Sequence, residues 1–217
     1  EYELTEDILM EHAASGIANY IRKHFPQGSS VLIVAGVGNN GADGIVLARQ
    51  LYGDYEIRLY IPFDLKSDMA KVQLERATRL GVKRVDTIEG ADVTVDALFG
   101  AGLNKPLNEQ TQHIIHQLNA LKSHKIACDV PTGVSDKGLL FPIAFEADVT
   151  VTMGAYKEAL YLDACKDVLG EVIRVDLGIS SLFYEGESQT CLLEDSDLKL
   201  PSRLQQSTHK GSFGHAA

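Results

Sequence analysis

Residues 30–44 read SVLIVAGVGNNGADG. The first six form a short, continuous apolar run, the pattern of a strand buried on both faces of a parallel sheet. Gly36, Gly38 and Gly41 follow at G-x-G-x-x-G spacing, and a helical pattern begins at about residue 41 and runs to 52. Glycines between a strand and a helix allow a tight turn and close backbone approach, and the helix start offers free N–H groups. The spacing is the dinucleotide fingerprint, which alone is a weak signal. A standard NAD site also needs an acid at the end of the next strand, to hold the ribose. That strand ends Leu59-Tyr60-Ile61-Pro62, with no acid before Asp64, which argues against a conventional hydride-transfer enzyme.

Working outward, helical and extended patterns alternate. The periodicity predicts helices over residues 4–25, 67–80 and 110–121. Thr5 is the expected cap of the first, with Glu6 and Asp7 in its first turn, and Ser67 that of the second. Extended segments are expected over 56–61, 92–99, 125–130, 147–153 and 171–175. Strands separated by crossover-length helices imply an α/β fold with a mainly parallel central sheet, covered on both faces. Residues 194–217 are polar and lack periodic apolar positions, so they read as a tail or linker.

The chain has 217 residues, 20 Lys plus Arg and 30 Asp plus Glu, a net charge of −10. Such an acidic surface argues against nucleic acid or an anionic membrane as partner. A small phosphorylated ligand is compatible, because backbone N–H groups bind phosphate without net positive charge. The three cysteines, Cys128, Cys165 and Cys191, form no CxxC pair. Their odd number, with an acidic Glu1-Tyr2-Glu3 start, suggests a reducing, cytoplasmic setting.

Polar residues stand where the predicted strands end. Asn39, Asn40 and Asp43 crowd the glycine loop, and serve equally as turn-stabilising caps or as oxygen ligands for a hard cation. Asp96 lies between Val95 and Ala97 on an apolar strand that empties into Gly100-Ala101-Gly102-Leu103-Asn104-Lys105-Pro106. Asp129 ends another, just before Pro131-Thr132-Gly133. A buried carboxylate is costly unless paired or hydrogen-bonded. The carboxyl ends of parallel strands form the ligand crevice, so the glycine loop, Asp96 and Asp129 converge on one edge. Lys157 follows a further strand end, although a lone lysine is ordinarily a solvated surface residue. His113 and His116 share a helix but have no cysteine neighbour, which argues against zinc.

Several segments carry a family resemblance. GVGNNGADGIVLARQL, DALFGAGLNKPL, CDVPTGVSDKG and VTMGAYKEALYLDACKDVLGEVIRVDLGIS, preceded by LMEHAASGIA, resemble in order and spacing the NAD(P)H-hydrate epimerases, the N-terminal YjeF-like domains. The likeness covers most of residues 4–180. It implies a three-layer Rossmann-like fold, usually dimeric. It also implies epimerisation of the 6R and 6S forms of hydrated NADH and NADPH (NADHX and NADPHX), with a bound potassium ion. By motif, Asn39, Asn40, Gly41, Ala42 and Asp43 would bind the hydrated dinucleotide. So would Gly100, Ala101, Gly102, Leu103, Asn104, Lys105 and Pro106, and Asp129 would contact the reacting nucleotide. Asn40, Asp96 and Thr132 would hold potassium. Asp129 is the first catalytic candidate and Lys157 the second. The alternative is a non-catalytic nucleotide- or protein-binding module on the same fold.

Three positions depart from the family pattern. Ala42 replaces a glycine, where a methyl group would crowd a closely approaching phosphate. Thr132 replaces serine and keeps the hydroxyl. His12 replaces asparagine in the first helix. Residues 196–217 resemble the opening of the hydrate dehydratase domain fused to such epimerases in bifunctional repair enzymes, giving an expected epimerase domain over residues 1–195.

Overall fold

The apolar runs do form a parallel sheet. The computed structural model describes residues 4–180, 190–194, 197–198 and 207. Two compact units divide at Gly186 and Glu187. The expected second segment lies largely outside the described residues.

The first unit runs α1 (Glu6–His24), β1 (Ser30–Ala35), α2 (Asn39–Leu51), β2 (Glu56–Tyr60), α3 (Asp68–Leu80), β3 (Arg84–Val85) and β4 (Val93–Ala97). It continues with α4 (Glu109–Ala120), β5 (His124–Cys128), β6 (Val149–Met153), two 3₁₀ turns, α5 (Lys166–Leu169) and β7 (Glu171–Val175). The seven strands lie in the order β3-β2-β1-β4-β5-β6-β7, and every pairing is parallel. The fold is an α/β, Rossmann-like one. From β1 the chain winds outward to β3, then returns to lay β4 on the other side of β1. That reversal opens a crevice at the carboxyl ends of β1 and β4.

Strand alternation divides the core. Val31, Ile33 and Ala35 of β1 join Val93, Val95 and Ala97 of β4 under α1, α2 and α3. Leu32 and Val34 face the other way, onto Ile114, Ile115 and Leu118 of α4 and onto Phe145. Three layers result, and both sheet faces are dry, which explains the unbroken apolar runs.

The helix ends follow local chemistry. Ser67 Oγ accepts from the Ala70 N–H at 3.3 Å, and Gly81 closes α3 at φ 108°. Thr5 occupies the N-cap position of α1, but its hydroxyl makes no capping bond. Asp7, in the first turn, instead accepts from Gln73 and Arg76, each at 2.6 Å, and so docks α1 on α3. Two expected strands end early. The chain leaves β5 at Cys128 because Asp129 adopts φ 69°. It leaves β4 at Ala97, where Leu98 turns back to donate to Asp96 Oδ1 at 3.1 Å. The two-residue β3 is too short to leave a periodic signature in the sequence.

Gly36 carries the tightest approach. Its N–H donates to Ala97 O at 2.9 Å, and a methyl group built there would overlap the Leu98 carbonyl, whereas the space at Gly38 is open. Gly36→Ala is therefore expected to lower the unfolding free energy by about 3 kcal/mol. Gly38→Ala is expected to lower it by less than about 1 kcal/mol. Urea denaturation followed by circular dichroism checks the contrast.

Candidate active site

A cavity of about 730 Å³ opens at the carboxyl edge of the sheet. The β1–α2 loop brings Gly38, Asn39, Asn40 and Asp43; the segment after β4 brings Gly100, Ala101 and Gly102; and β5 and β6 bring Asp129, Met153 and Lys157. Helix α1 closes one side with Glu6, Leu9, Met10 and Ala13.

Asp129 is its best-fixed polar group. It is the one non-glycine with positive φ among the described residues. Such backbone is uncommon outside glycine and is held by its surroundings. Here the Asp129 N–H donates to Val151 O at 2.8 Å. Oδ1 accepts from Thr152 Oγ1 and the Met153 N–H, both at 3.2 Å, and Oδ2 from the Ala101 N–H at 3.4 Å. The Lys157 ammonium stands 2.6 Å from Oδ1 and also donates to Met153 O at 2.6 Å. Side-chain exposures of 15% for Asp129 and 25% for Lys157 leave both reachable from the cavity. Lys157 is thus an anchored ion-pair partner, not the solvated surface lysine that its type suggests.

Asp43 faces the same cavity from α2. Burial, then the negative charges of Asp129 and Glu6, hold its carboxyl well above the ordinary carboxylate range. The cavity thus holds one carboxyl whose ionisation is penalised and another that is ion-paired with Lys157.

Asp96 and Thr132 form a separate buried unit. Asp96 Oδ2 accepts from the Thr132 N–H at 2.7 Å, and Oδ1 from Thr132 Oγ1 at 2.8 Å. The Phe99 N–H donates to Thr132 Oγ1 at 3.0 Å. No cationic side chain forms an ion pair with Asp96 among the described residues. Burial raises its carboxyl from 3.8 to about 6, against the lowering effect of the Thr132 and Leu98 hydrogen bonds. Asn40 points at Gly100, and its Nδ2 is buried without a partner.

Other expected residues fall differently. The Asn39 amide donates to Glu6 and accepts from Ser67 Oγ at 2.8 Å, so it ties α1 to the start of α3. Gly41 and Ala42 are buried, and the Ala42 methyl lies in the hydrophobic core, away from any approaching phosphate. Gly100, Ala101 and Gly102 line the cavity; Leu103, Asn104, Lys105 and Pro106 do not. His12 is exposed and lies against Gly178, outside the cavity lining. Sequence reasoning missed Thr152, Met153 and the α1 wall. Thr152 is a polar residue at an alternate position of an apolar strand, a signal that could have been read. The role of α1 depends on its docking angle, which the sequence does not display.

Comparisons bear on this geometry. Residues 6–159 match the family described as YjeF-related protein N-terminus. The chain belongs to that family. A bifunctional NAD(P)H-hydrate repair enzyme Nnr of Helicobacter pylori is 39% identical, across 100% of this chain and 47% of the relative. An NAD(P)H-hydrate epimerase of Leuconostoc citreum is 34% identical, across 81% of this chain and 82% of the relative. The chain spans about half the length of the bifunctional relatives it matches. The crystal structure of yeast ynu0 superimposes with a TM-score of 0.67 at 25% identity, covering 80% of this chain and 79% of that one.

The raised Asp96 carboxyl gives a signed pH dependence. In acid, both folded and unfolded chains hold this proton. Between 3.8 and about 6 the folded chain alone keeps it. Stability from this group therefore declines across that window, by roughly 3 kcal/mol in total, and then levels off. Asp96→Asn is expected to flatten that part of the profile, read by urea denaturation at a series of pH values.

Proposed function

We propose that this chain interconverts the 6R and 6S forms of hydrated NADH and NADPH. The observation that carries the reading is the Asp129–Lys157 ion pair sharing one cavity with Asp43, whose carboxyl is held by burial well above the ordinary range. The epimerase names of the family relatives support it.

The carbon to be inverted carries a hydroxyl and the ring nitrogen. Protonation of the hydroxyl lets its C–O bond break with loss of water, while the nitrogen lone pair closes to an iminium cation. Water then adds to the opposite face and loses a proton, which restores the balance. Asp43 is suited to protonate the leaving hydroxyl. Asp129, ion-paired with Lys157 and hydrogen-bonded by Thr152, is suited to stabilise the cation and to accept the proton of the incoming water. A pure binding module would have no need of two carboxyls in such different surroundings.

The reading includes a potassium ion. Asp96 offers a single, fully buried negative charge, beside the Thr132 hydroxyl and the Phe99 carbonyl. The unpartnered Asn40 amide can turn its oxygen toward a cation. One carboxylate among neutral oxygens suits a hard monovalent ion. When bound, that ion would offset the Asp96 charge and fix the Gly100 loop. Added potassium is expected to reduce the pH dependence of wild-type stability and to leave Asp96→Asn unchanged, a readout independent of turnover.

The reading also includes a homodimer, supported by the exposed apolar side chains of Leu139, Leu140 and Leu162. A reducing, cytoplasmic setting accords with the unpaired thiols of Cys128, Cys165 and Cys191. No helix among the described residues is long and apolar enough to cross a membrane.

Water loss and return has a consequence in ¹⁸O-labelled water. The hydroxyl is expected to gain label as fast as the epimers interconvert, followed by mass spectrometry. Asp129→Asn is expected to slow both by about 10²–10⁴-fold. Epimerisation without label would refute the mechanism, and an unimpaired Asp129→Asn would refute the role of Asp129.

A further inference from the structure

A second cavity, of about 370 Å³, lies beside the first on the same sheet edge. Val37, Phe63, Phe99, Asp64, Lys66 and Asn108 contribute to its lining. The two cavities adjoin through consecutive residues on two separate loops. Val37 lines the second and Gly38 the first; Phe99 lines the second and Gly100 the first. They therefore flank the β1–β4 reversal, with the start of α2 between them.

The walls of the second cavity are fixed without a ligand. The Lys66 and Ser67 N–H groups donate to Val37 O at 2.9 and 3.0 Å, which ties the segment after β2 to the glycine loop. Phe63 and Phe99 pack on the same core cluster beneath α4. Asn108 holds the start of α4 by accepting from the Thr111 N–H at 2.8 Å. The result is a preformed, largely apolar pocket with two aromatic rings, and with Lys66, Asp64 and the Asn108 amide among its lining, of a size within the usual range for small ligands.

We infer that this second cavity binds the adenosine half of the hydrated dinucleotide. The inference rests on the epimerase reading and adds which half lies where. Hydrated nicotinamide must meet Asp43, Asp129 and Lys157, so it takes the first cavity. The two halves of the substrate are joined by a pyrophosphate. The start of α2 lies between the cavities, where N–H groups and the helix dipole favour that charge. The other end of the ligand is then directed past Val37 and Phe99. A purine is flat and apolar-faced, and stacks well on phenylalanine. Lys66 is exposed at the margin, where a neighbouring phosphate would meet it. Asp64, the acid that follows the second strand, lines this cavity as well, beside the aromatic grip.

The test separates the two halves of the ligand. Hydrated NMNH carries the same reacting ring but no adenosine; AMP carries adenosine but no reacting ring. Phe63→Ala is expected to raise KM for hydrated NADH about tenfold, the usual scale for losing one base–aromatic stack. Its kcat/KM for hydrated NMNH is expected to match wild type. AMP should bind the wild-type chain, read by calorimetric titration, and bind Phe63→Ala about tenfold more weakly. Phe63→Leu, which keeps apolar bulk in the core, should show the same loss of selectivity for the dinucleotide. Equal losses on hydrated NADH and hydrated NMNH would mark Phe63 as merely structural and overturn the inference. AMP binding that is absent, or indifferent to Phe63, would overturn it too. If wild type turns over neither hydrated compound, the epimerase reading fails, while the AMP titration still decides the adenosine pocket.

Discussion

The bare backbone of Gly36 pressed against Leu98 is the contact on which the site depends. The Gly36 N–H holds Ala97 O at 2.9 Å, so β1 and β4 stay paired up to the point where their chains part. A side chain there would push the loops apart. With the contact made, α2 begins immediately beyond β1, and the segment after β4 folds over it toward Gly100. The crevice exists because β1 and β4 are neighbours in space but lead away from one another in sequence. Apart from Glu6 of α1, the polar groups of the candidate site sit at the start of α2, on the segment after β4 or at the adjoining ends of β5 and β6.

Two buried carboxyls solve the same solvation problem differently. Asp96 is deep, receives three hydrogen bonds and lacks an ion-pair partner among the described residues, so its charge is penalised. Asp129 is nearer the surface, on left-handed backbone, and has Lys157 at 2.6 Å. Asp129 thus has in Lys157 the countercharge that Asp96 lacks. Burial first, and then the charges of Asp129 and Glu6, raise the Asp43 carboxyl well above its ordinary range. The electrostatic contrast across the cavity follows from the fold, since the α2 start and the β5 end must meet at this edge.

Much of this was legible in the sequence. SVLIVA and its counterparts announced a parallel sheet because both faces are covered, and the glycine loop located the edge. Asp96 and Asp129 stood out because a carboxylate in an apolar strand requires a reason. Lys157 was harder to read, since an anchored lysine and a solvated one look alike without the Met153 carbonyl and Asp129 beside them. The Ala42 methyl pointed into the core for a reason of helix phase at the start of α2. Neither the α1 wall nor the Phe63–Phe99 cavity had a signature, because each arises from the docking of segments distant in sequence.

The most direct test of the account follows an unequal mixture of the 6R and 6S forms of hydrated NADH by NMR, with and without the protein, in potassium buffer. The result expected is an accelerated approach to the epimeric equilibrium, with no change in the amount of hydrated nucleotide. An unchanged time course, with the ligand bound as shown by line broadening, would contradict the account and leave a crevice that holds the nucleotide without acting on it.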